Sequence, residues 1–436
     1  MPYTPAYFTS LTLTDVRCFG GEQTLDLRGA DGFPAKWTII LGENGVGKTT
    51  LLQCLDRISP FAWDKPFLAG TVVGTVTKNS PFESAHDLVR VDRASCSMRA
   101  DVWTGRSLAD MNMEGGALLA MTLEISGPRV SGAQYTDISV RMHCCGYGAS
   151  RRSGAAKLAS AERSDSAATL HDESATLVDV EEWLLQLDYS AKSNSGQDGR
   201  LKQVKQILID LLPDIDDIRI VGFEREPPAP AVELHSPFGW IRPRQLSLGY
   251  RAMMTWVVDL ATRMCAAFPT SPDPLREASV VLIDEIDLHL HPRWQRDLIG
   301  YLDAHFPNVQ FIASAHSPLV VQAAQGANIV VLHREGDRVI IDNDPQSVQG
   351  WRIDQILTSD LFGLRSARPP QSEGWIAERR QILGQASLSA ADQARLNVLD
   401  AQIGPLPQGE TAEDVDAMET IRRFAAILRD REGTRP

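Results

Sequence analysis

Apolar and polar residues alternate along the first forty positions of the chain. Residues 11–16 and 24–27 show this alternation on either side of a Gly20-Gly21 pair, and residues 37–41 form a continuous apolar run. The pattern predicts two strands joined by a turn, followed by a strand that is buried on both faces.

The middle of the chain changes from β to helical patterning. Residues 84–148 look mainly β, whereas residues 149–175 are rich in Ser, Ala, Arg and Asp and predict an exposed insertion. The clearest strands of this region are 121–125 and 138–145, and the clearest helices are 180–189 and 201–211.

Short apolar runs return in the second half of the chain and are typical of strands covered on both faces of a parallel sheet. These runs are 279–283, 309–313 and 329–332, the last continuing into an apparent hairpin. Polar helical patterning follows, with candidate helices at 373–383, 390–403 and 410–429. We therefore predict an α/β fold with a mixed β lobe and a parallel-sheet core, a helical insertion and a helical C-terminal extension. The corresponding segments are 1–148, 149–212, 213–345 and 346–436.

Composition fits a globular protein. The 436 residues are 43% hydrophobic and 23% charged, with a formal net charge of −13. No apolar run approaches the roughly 20 residues that span a bilayer, the N-terminus lacks a signal-peptide pattern, and the six cysteines show no C-x-x-C spacing. We expect a cytoplasmic protein without a membrane partner. The charge argues against a surface coated with nucleic acid but leaves a local basic groove open.

The octapeptide at 42–49 carries the strongest chemical signal, because it fits the P-loop pattern G-x-x-x-x-G-K-[ST]. Its glycines let the backbone turn amide groups toward phosphate oxygens. Lys48 then reaches the terminal phosphates, and the Thr49 hydroxyl ligates Mg²⁺. A strand before the loop and a helix after it complete the setting for ATP and Mg²⁺. The predicted nucleotide contacts are Asn44, Gly45, Gly47, Lys48, Thr49 and Thr50.

A second apolar strand, at 280–283, ends in the carboxylates of Asp284 and Glu285. Apolar strands often end in acidic residues, so the pair is informative because a P-loop precedes it. The first carboxylate can hold Mg²⁺ through water, and the second can polarise the water that attacks the γ-phosphate.

Two polar residues stand next to predicted helix starts. Ser247 occupies an N-cap position before an apolar helix, where amide groups can face an anion. His316 ends the apolar strand at 311–315, and an imidazole there can contact the γ-phosphate.

Three further patterns leave their roles open. His289-x-His291 offers two metal ligands without a third, which favours a structural role. The element at 147–152 contains Arg151 and Arg152, which could sense nucleotide or contact a partner or a nucleic acid. Gln134 is a candidate for a glutamine that couples Mg²⁺ to the lobes, without supporting context.

Together these motifs resemble the ABC-type ATPases of the SMC/RecF/overcoming-lysogenization-defect class. The motifs are GENGVGKT, LSLGY, LIDEIDLHLHP and FIASAHSP, and the resemblance covers about residues 8–345. Within the class, the Y-G-A-S-R element and the stretch at 351–364 look most like the ATPase subunit of Septu-type and retron-associated antiphage systems. In those systems the ATPase is thought to hold an HNH nuclease partner in check.

The resemblance implies roles for residues in one copy of the chain. Lys48 and Thr49 would bind the phosphates and Mg²⁺, with Asp284 supporting the metal. Glu285 would be the general base and His316 the γ-phosphate sensor.

The resemblance also implies that the site is completed by a second copy, in a homodimer or a higher even oligomer. Ser247 and Gly249 of the signature would act on the nucleotide of the opposing subunit. Asp287 would lie where the two subunits touch.

Two other functions fit parts of the sequence. A RecF/SMC-like DNA-binding repair ATPase would use basic residues such as Arg151 and Arg152, although the net charge of −13 and the lack of a long coiled coil weigh against it. A self-contained OLD-type nuclease would need paired carboxylates such as Asp342-x-Asp344, but these follow a hairpin and fewer than 100 residues remain.

Overall fold

The computed structural model describes residues 4–59, 70–75, 85–105, 108, 116–126, 129–134, 140–154, 166–193, 198–212, 214–222, 230–364, 366–367, 369–385 and 388–403. The chain divides into two compact units, Met1–Gly363 and Leu364–Pro436.

The strands are β1 Thr4–Val16, β2 Phe19–Asp26, β3 Trp37–Gly42, β4 Gly70–Thr75, β5 Ser95–Thr104, β6 Ala117–Ser126, β7 Arg129–Gln134, β8 Val140–Arg141, β9 Cys144–Tyr147, β10 Arg152–Ser153, β11 Thr176–Leu177, β12 Asp217–Val221, β13 Ala231–Ser236, β14 Gly239–Ile241, β15 Ser279–Ile283, β16 Val309–Ser314, β17 Asn328–Glu335 and β18 Arg338–Asp342. The α-helices are α1 Lys48–Ile58, α2 Ala168–His171, α3 Val180–Ser193, α4 Asp198–Leu211, α5 Leu248–Ala267, α6 Pro292–His305, α7 Pro318–Ala323, α8 Ile353–Leu357, α9 Pro370–Leu383 and α10 Ala390–Ile403.

A mostly parallel sheet forms the centre of the first unit, in the strand order β18-β17-β3-β16-β15-β9. Its neighbours run parallel except for β18, which returns from β17 as an antiparallel hairpin. Strands β15 and β16 are buried at every position, as their continuous apolar runs predict. Because β3, β16 and β15 are adjacent and parallel, their carboxyl ends meet at one edge of the sheet.

A second, mainly antiparallel sheet forms the β lobe, in the order β2-β1-β5-β6-β7-β4, with β8 beside β1. The predicted single strand at 138–145 is wrong, because this segment contributes to both sheets. Val140–Arg141 pairs with β1, and Cys144–Tyr147 pairs with β15. The predicted α/β class, with a β lobe and a parallel-sheet core, is confirmed.

Two apolar clusters lie on opposite sides of the core sheet, because successive strand side chains point to opposite faces. Ile39 and Leu41 belong to the cluster that includes α4, α5 and α6. Ile40 belongs to the cluster formed with the β lobe and α1. This double coverage fixes β3 and therefore the start of the loop that follows it.

The exposed insertion predicted for 149–175 holds for part of its described residues. Arg152, Ser153 and residues 172–174 are exposed. Arg151 and Leu170 are buried instead, and Leu177 just beyond packs in the same core as helix α5. Helices α3 and α4 then place Leu184 and Leu208 in that core. Apolar residues spaced among small polar ones were therefore sufficient to anchor this segment.

The second unit contains α9 and α10 among its described residues, as predicted from 373–383 and 390–403. Ile382, Leu396 and Leu399 are buried between them. Exposed ion pairs connect the helices, including Arg395 to Glu378 at 2.6 Å. The predicted helix at 410–429 lies outside the described residues. Across the described part of the chain, no helix is long and apolar enough to cross a membrane.

Candidate functional site: a P-loop beside two strand-end carboxylates

The P-loop joins β3 to α1, and two of its glycines are required by space and backbone angle. Gly42 has φ 146°, and a Cβ there would lie 2.6 Å from the carbonyl oxygen of Leu332. Gly47 has φ 93°, and a Cβ there would lie 2.5 Å from the Cys18 sulfur. Since L side chains rarely adopt such angles, only glycine fits both positions without rearrangement.

The Lys48 ammonium bridges the mouth of this loop. Its Nζ donates to the carbonyl oxygens of Gly42 and Glu43, each at 2.8 Å. Burial lowers the pKa of Lys48, while the nearby carboxylates of Asp284 and Glu285 oppose that shift. Its hydrogen-bond partners among the described residues are these backbone carbonyls, which phosphate oxygens can replace.

A chain of short hydrogen bonds connects the P-loop to the carboxylate strand. The Thr49 hydroxyl donates to Oδ2 of Asp284 over 2.6 Å. The Ser314 hydroxyl donates to Oδ1 of the same carboxylate over 2.5 Å and accepts from the Glu285 amide over 2.7 Å. A threonine hydroxyl beside a carboxylate supplies hard oxygen donors, which are the ligands that Mg²⁺ prefers.

Glu285 directly follows this carboxylate and has a left-handed backbone, with φ 48°. Its side chain is half-buried at the carboxyl end of β15. Such angles are costly for a residue with a Cβ and are found mostly where the surroundings impose them. The backbone therefore turns sharply just after the buried strand.

Asp287 and His316 meet next to the carboxylates within one copy of the chain. The His316 amide donates to both carboxylate oxygens of Asp287, at 3.2 and 3.1 Å. The His316 side chain remains exposed. The predicted subunit contact by Asp287 stays a prediction, since its carboxylate is already hydrogen-bonded in this copy.

The predicted signature residues stand at the start of α5, which we call the signature helix. Ser247 is its N-cap, is exposed, and accepts from the Tyr250 amide at 3.5 Å. Gly249 packs so closely on the loop after β15 that a Cβ would lie 2.3 Å from the carbonyl oxygen of His289. Gly249 is therefore needed for packing within the chain, whatever it does for a second copy.

Arg151 is the clearest correction to the sequence-based expectations. It is 5% exposed, and its Nη2 donates to the carbonyl oxygens of Asp284 and Glu285 at 2.6 and 2.8 Å. Burial lowers its pKa to about 10, against the pull of nearby carboxylates. Arg151 thus lies behind the carboxylates and cannot touch a nucleic acid, whereas Arg152 is exposed.

The other weak candidates fall outside the carboxylate cluster. His291 caps α6, with its Nδ1 accepting from the Arg293 amide at 3.3 Å. Gln134 pairs with Gly70 and Met121 within the β lobe sheet. Among the residues that the structure describes, no three or more His, Cys, Asp or Glu side chains are grouped to hold a metal ion.

Sequence reasoning missed two polar residues of the site. Ser314 ends β16 two positions before His316, and its place at the strand end was the available signal. Arg17 follows β1 and reaches the P-loop helix, where its Nη1 donates to Thr50 Oγ1 at 3.2 Å and to Gln53 Oε1 at 2.9 Å. No local pattern around Arg17 points to this contact, because β1 and α1 are brought together only by the fold.

A glycine-constrained loop between a buried strand and a helix, facing a hydroxyl-linked carboxylate pair, defines a P-loop ATPase domain of the ABC type. Two family models match the chain: residues 154–322 match "AAA domain, putative AbiEii toxin, Type IV TA system", and residues 10–58 match a second AAA domain family. The chain therefore contains a nucleotide-binding domain of the P-loop ATPase class.

Curated relatives bear out the resemblance to Septu and retron ATPases. The chain is 34% identical over 164 residues to the Retron Ec83 probable ATPase of Escherichia coli, covering 37% of this chain and 29% of that protein. It is 27% identical over 350 residues to the Septu protein PtuA of Bacillus mycoides (strain KBAB4), covering 78% of this chain and 42% of that protein. The chain thus spans less than half the length of these relatives.

Among solved structures, the chain is similar to an SMC head bound to the C-winged helix domain of ScpA. The identity is 16% and the TM-score 0.42, over 77% of this chain and 96% of that chain. A likeness this distant carries no weight for function.

Proposed function

We propose that the chain binds and hydrolyses ATP at the edge of the core sheet, in a site shared by two copies. The observation that carries this proposal is the hydrogen-bonded series from Thr49 through Asp284 and Ser314 to Glu285. It joins the phosphate loop to a half-buried carboxylate. Hydrolysis requires the phosphate-binding loop and the general base to be held in register, and these hydrogen bonds support that arrangement.

The chain's own groups have distinct tasks in this reaction. The amides of Gly45 and Gly47 and the Lys48 ammonium bind the phosphate oxygens. Glu285 takes the proton of the attacking water as general base. His316, exposed beside Asp287, orients the terminal phosphate.

The residues present fit a magnesium ion, because Thr49 and Asp284 place two hard oxygen donors 2.6 Å apart beside the loop. When bound, Mg²⁺ would neutralise charge on the phosphate oxygens. Few protein ligands are needed for this, since Mg²⁺ in such sites is completed by phosphate and water.

A second copy completes the proposed site. Ser247 is exposed at the positive end of a 20-residue helix, which favours an anion there. In a two-fold arrangement each copy can offer its Ser247 to the nucleotide on the other copy's P-loop. We propose a homodimer, or a higher even oligomer built from it.

Replacing the general base tests the chemistry. Glu285→Gln should retain ATP binding but release phosphate at least tens of times more slowly, which is the range for a lost general base. Glu335→Gln is the matched control, because Glu335 is an exposed glutamate on β17 of the same sheet. Turnover of Glu285→Gln close to that of Glu335→Gln would contradict the assignment.

We propose further that this ATPase works in antiphage defence and regulates or recruits an effector nuclease, of the HNH kind by the resemblance. The similarity to Septu and retron ATPases supports this proposal. The complex recovered from the native host, weighed by native mass spectrometry, tests it. We expect a stoichiometric nuclease on the ATPase dimer, and a dimer without any bound nuclease would refute the idea.

The location of the protein and its division into segments remain predictions. We propose a cytoplasmic ATPase whose lobes are 1–148 and 213–345, with the intervening segment 149–212 and the extension 346–436.

The DNA-repair alternative loses Arg151 as a contact, because its guanidinium is buried. The nuclease alternative would use Asp342 and Asp344 as paired carboxylates. The Asp342 carboxylate accepts from the Asp344 amide at 3.1 Å, which is a local turn contact and adds no support for a metal site.

A further inference from the structure

Within the described part of the chain, the buried guanidinium of Arg151 lacks the carboxylate partner that such a group usually has. Its Nη2 donates to the carbonyl oxygens of Asp284 and Glu285, at 2.6 and 2.8 Å. Its Nε is buried and has no hydrogen-bond partner among the described residues. Burying an arginine to hold two backbone carbonyls is costly. A constraint on those carbonyls therefore explains the arrangement better than stability does.

The backbone held by Arg151 is the strained turn that carries the general base. Glu285 has φ 48°, and a non-glycine residue keeps such an angle only when its neighbours fix it. Ser314 holds the Glu285 amide at 2.7 Å, and the Tyr147 carbonyl holds the Asp284 amide at 2.8 Å. Arg151 holds both carbonyls that follow. Every polar backbone group of these two residues is thus fixed by a partner outside the turn.

The same element also touches the signature helix. The Arg151 guanidinium carbon lies 6.0 Å from the ring centroid of Trp256, which is fully buried on α5. At the other end of the element, the Tyr147 hydroxyl donates to Asp259 on α5 at 3.1 Å. Asp259 is fully buried and pairs with Arg263 at 2.5 Å, so this contact is fixed as well. Residues 147–151 therefore bridge the signature helix and the carboxylate turn.

We propose that Arg151 is a positioning residue for ATP hydrolysis. Its guanidinium clamps the backbone of Asp284 and Glu285 against the signature helix and so fixes the direction of the Glu285 carboxylate. The inference rests on the proposed function of Glu285 as general base. The Y-G-A-S-R element, residues 147–151, would then act inside the protein and not at its surface.

Arg151→Lys tests the clamp while keeping the positive charge. A lysine side chain is one bond shorter, so its nitrogen stops near the position of the guanidinium carbon. The Asp284 carbonyl then loses the arginine donor, and the Glu285 carbonyl keeps the Leu288 amide at 3.0 Å. We expect kcat to fall at least about tenfold while KM for ATP stays within about threefold, because Lys48 and Thr49 are untouched. Arg200→Lys is the control and should keep both constants, because the Arg200 Nη2 also donates to a backbone carbonyl, that of Pro269 at 2.7 Å, outside the proposed site. The amount of ATP bound per chain gives the fraction of folded sites, and kcat is then calculated per folded site for each variant.

Combining the change with Glu285→Gln separates positioning from a general loss of structure. If Arg151 acts through Glu285, Arg151→Lys should cause no further decrease of kcat in the Glu285→Gln background. Either of two results would overturn the proposal. One is a kcat for Arg151→Lys within about twofold of wild type. The other is that Arg151→Lys lowers kcat in the Glu285→Gln background by the same factor as in the wild-type background. Glu285→Gln alone tests the proposed function: a slow Glu285→Gln with a normal Arg151→Lys refutes only the clamp.

Discussion

Removing the Ser314 hydroxyl is expected to break the hydrogen-bonded connection between the Asp284 carboxylate and the backbone of Glu285. Ser314 is fully buried at the end of β16, and its hydroxyl contacts Asp284 on one side and the Glu285 amide on the other. Ser314→Ala takes away both contacts without changing the volume of the site much. The Asp284 carboxylate then loses a donor, and the left-handed turn at Glu285 loses one of its fixed points.

The size of the effect follows from the two bonds. A hydrogen bond to a charged group contributes about 1.5–3 kcal/mol, and a buried amide left unsatisfied costs about 1–3 kcal/mol. We therefore expect Ser314→Ala to lower the free energy of unfolding by about 3 kcal/mol. If about 1.5–3 kcal/mol of this is also lost in the transition state, kcat falls about 10- to 100-fold.

Phosphate release and urea unfolding measure these two quantities on the same preparation. Ser236→Ala is the matched control, because Ser236 is also buried, donates to the Gly239 carbonyl at 2.9 Å and accepts from the Phe238 amide at 3.3 Å. It lies on β13, so its loss should lower stability and leave kcat unchanged. If both variants lose stability and Ser314→Ala keeps the kcat of the control, the Ser314 hydroxyl has no role in hydrolysis.

Three further outcomes are expected. Gly249→Ala should lose about 1–3 kcal/mol of stability in urea, since its methyl would lie 2.3 Å from the His289 carbonyl oxygen. Gly300→Ala is the control on α6, where a methyl meets open space, and it should gain up to about 1 kcal/mol. Equal effects of the two changes would contradict the close packing at Gly249. Lys48→Met should abolish ATP binding in calorimetry, because the ammonium that binds the phosphates is gone, and retained affinity would contradict its role. Burial, aided by a nearby arginine, lowers the pKa of His143 to about 4, so below its ordinary 6.5 the unfolded state takes up a proton that the folded state resists. Stability should therefore fall by about 2–3 kcal/mol between pH 7 and 4.5, and less in His143→Gln; an identical fall in both would contradict this.

The sequence was most informative where one physical constraint acts on a short segment. The P-loop glycines are such a case, because φ and steric space at Gly42 and Gly47 admit no side chain. The continuous apolar runs of β15 and β16 are another, since strands covered on both faces need no polar side. In both cases the signal lies within one short run of the sequence, although Leu332 and Cys18 set the steric limits at the two glycines.

The sequence was least informative where the contact partner is remote. Arg151 in a Ser- and Ala-rich segment looked exposed, yet it lies 133 residues away from the Asp284 carbonyl that it binds. Its burial depends on β9 pairing with β15, which no local pattern specifies. The split of 138–145 between two sheets has the same cause, because either half alone has ordinary strand patterning.

A mixing experiment tests the central claim, that the ATPase site is shared by two copies. Lys48→Met has no working P-loop and Ser247→Arg has no working signature, so each should be inactive alone. After equal mixing and exchange, half of the dimers are mixed, and each of these has one complete site of two. Turnover of the mixture should therefore return to about a quarter of the wild-type value. Turnover of the mixture no higher than that of the separate variants would contradict it.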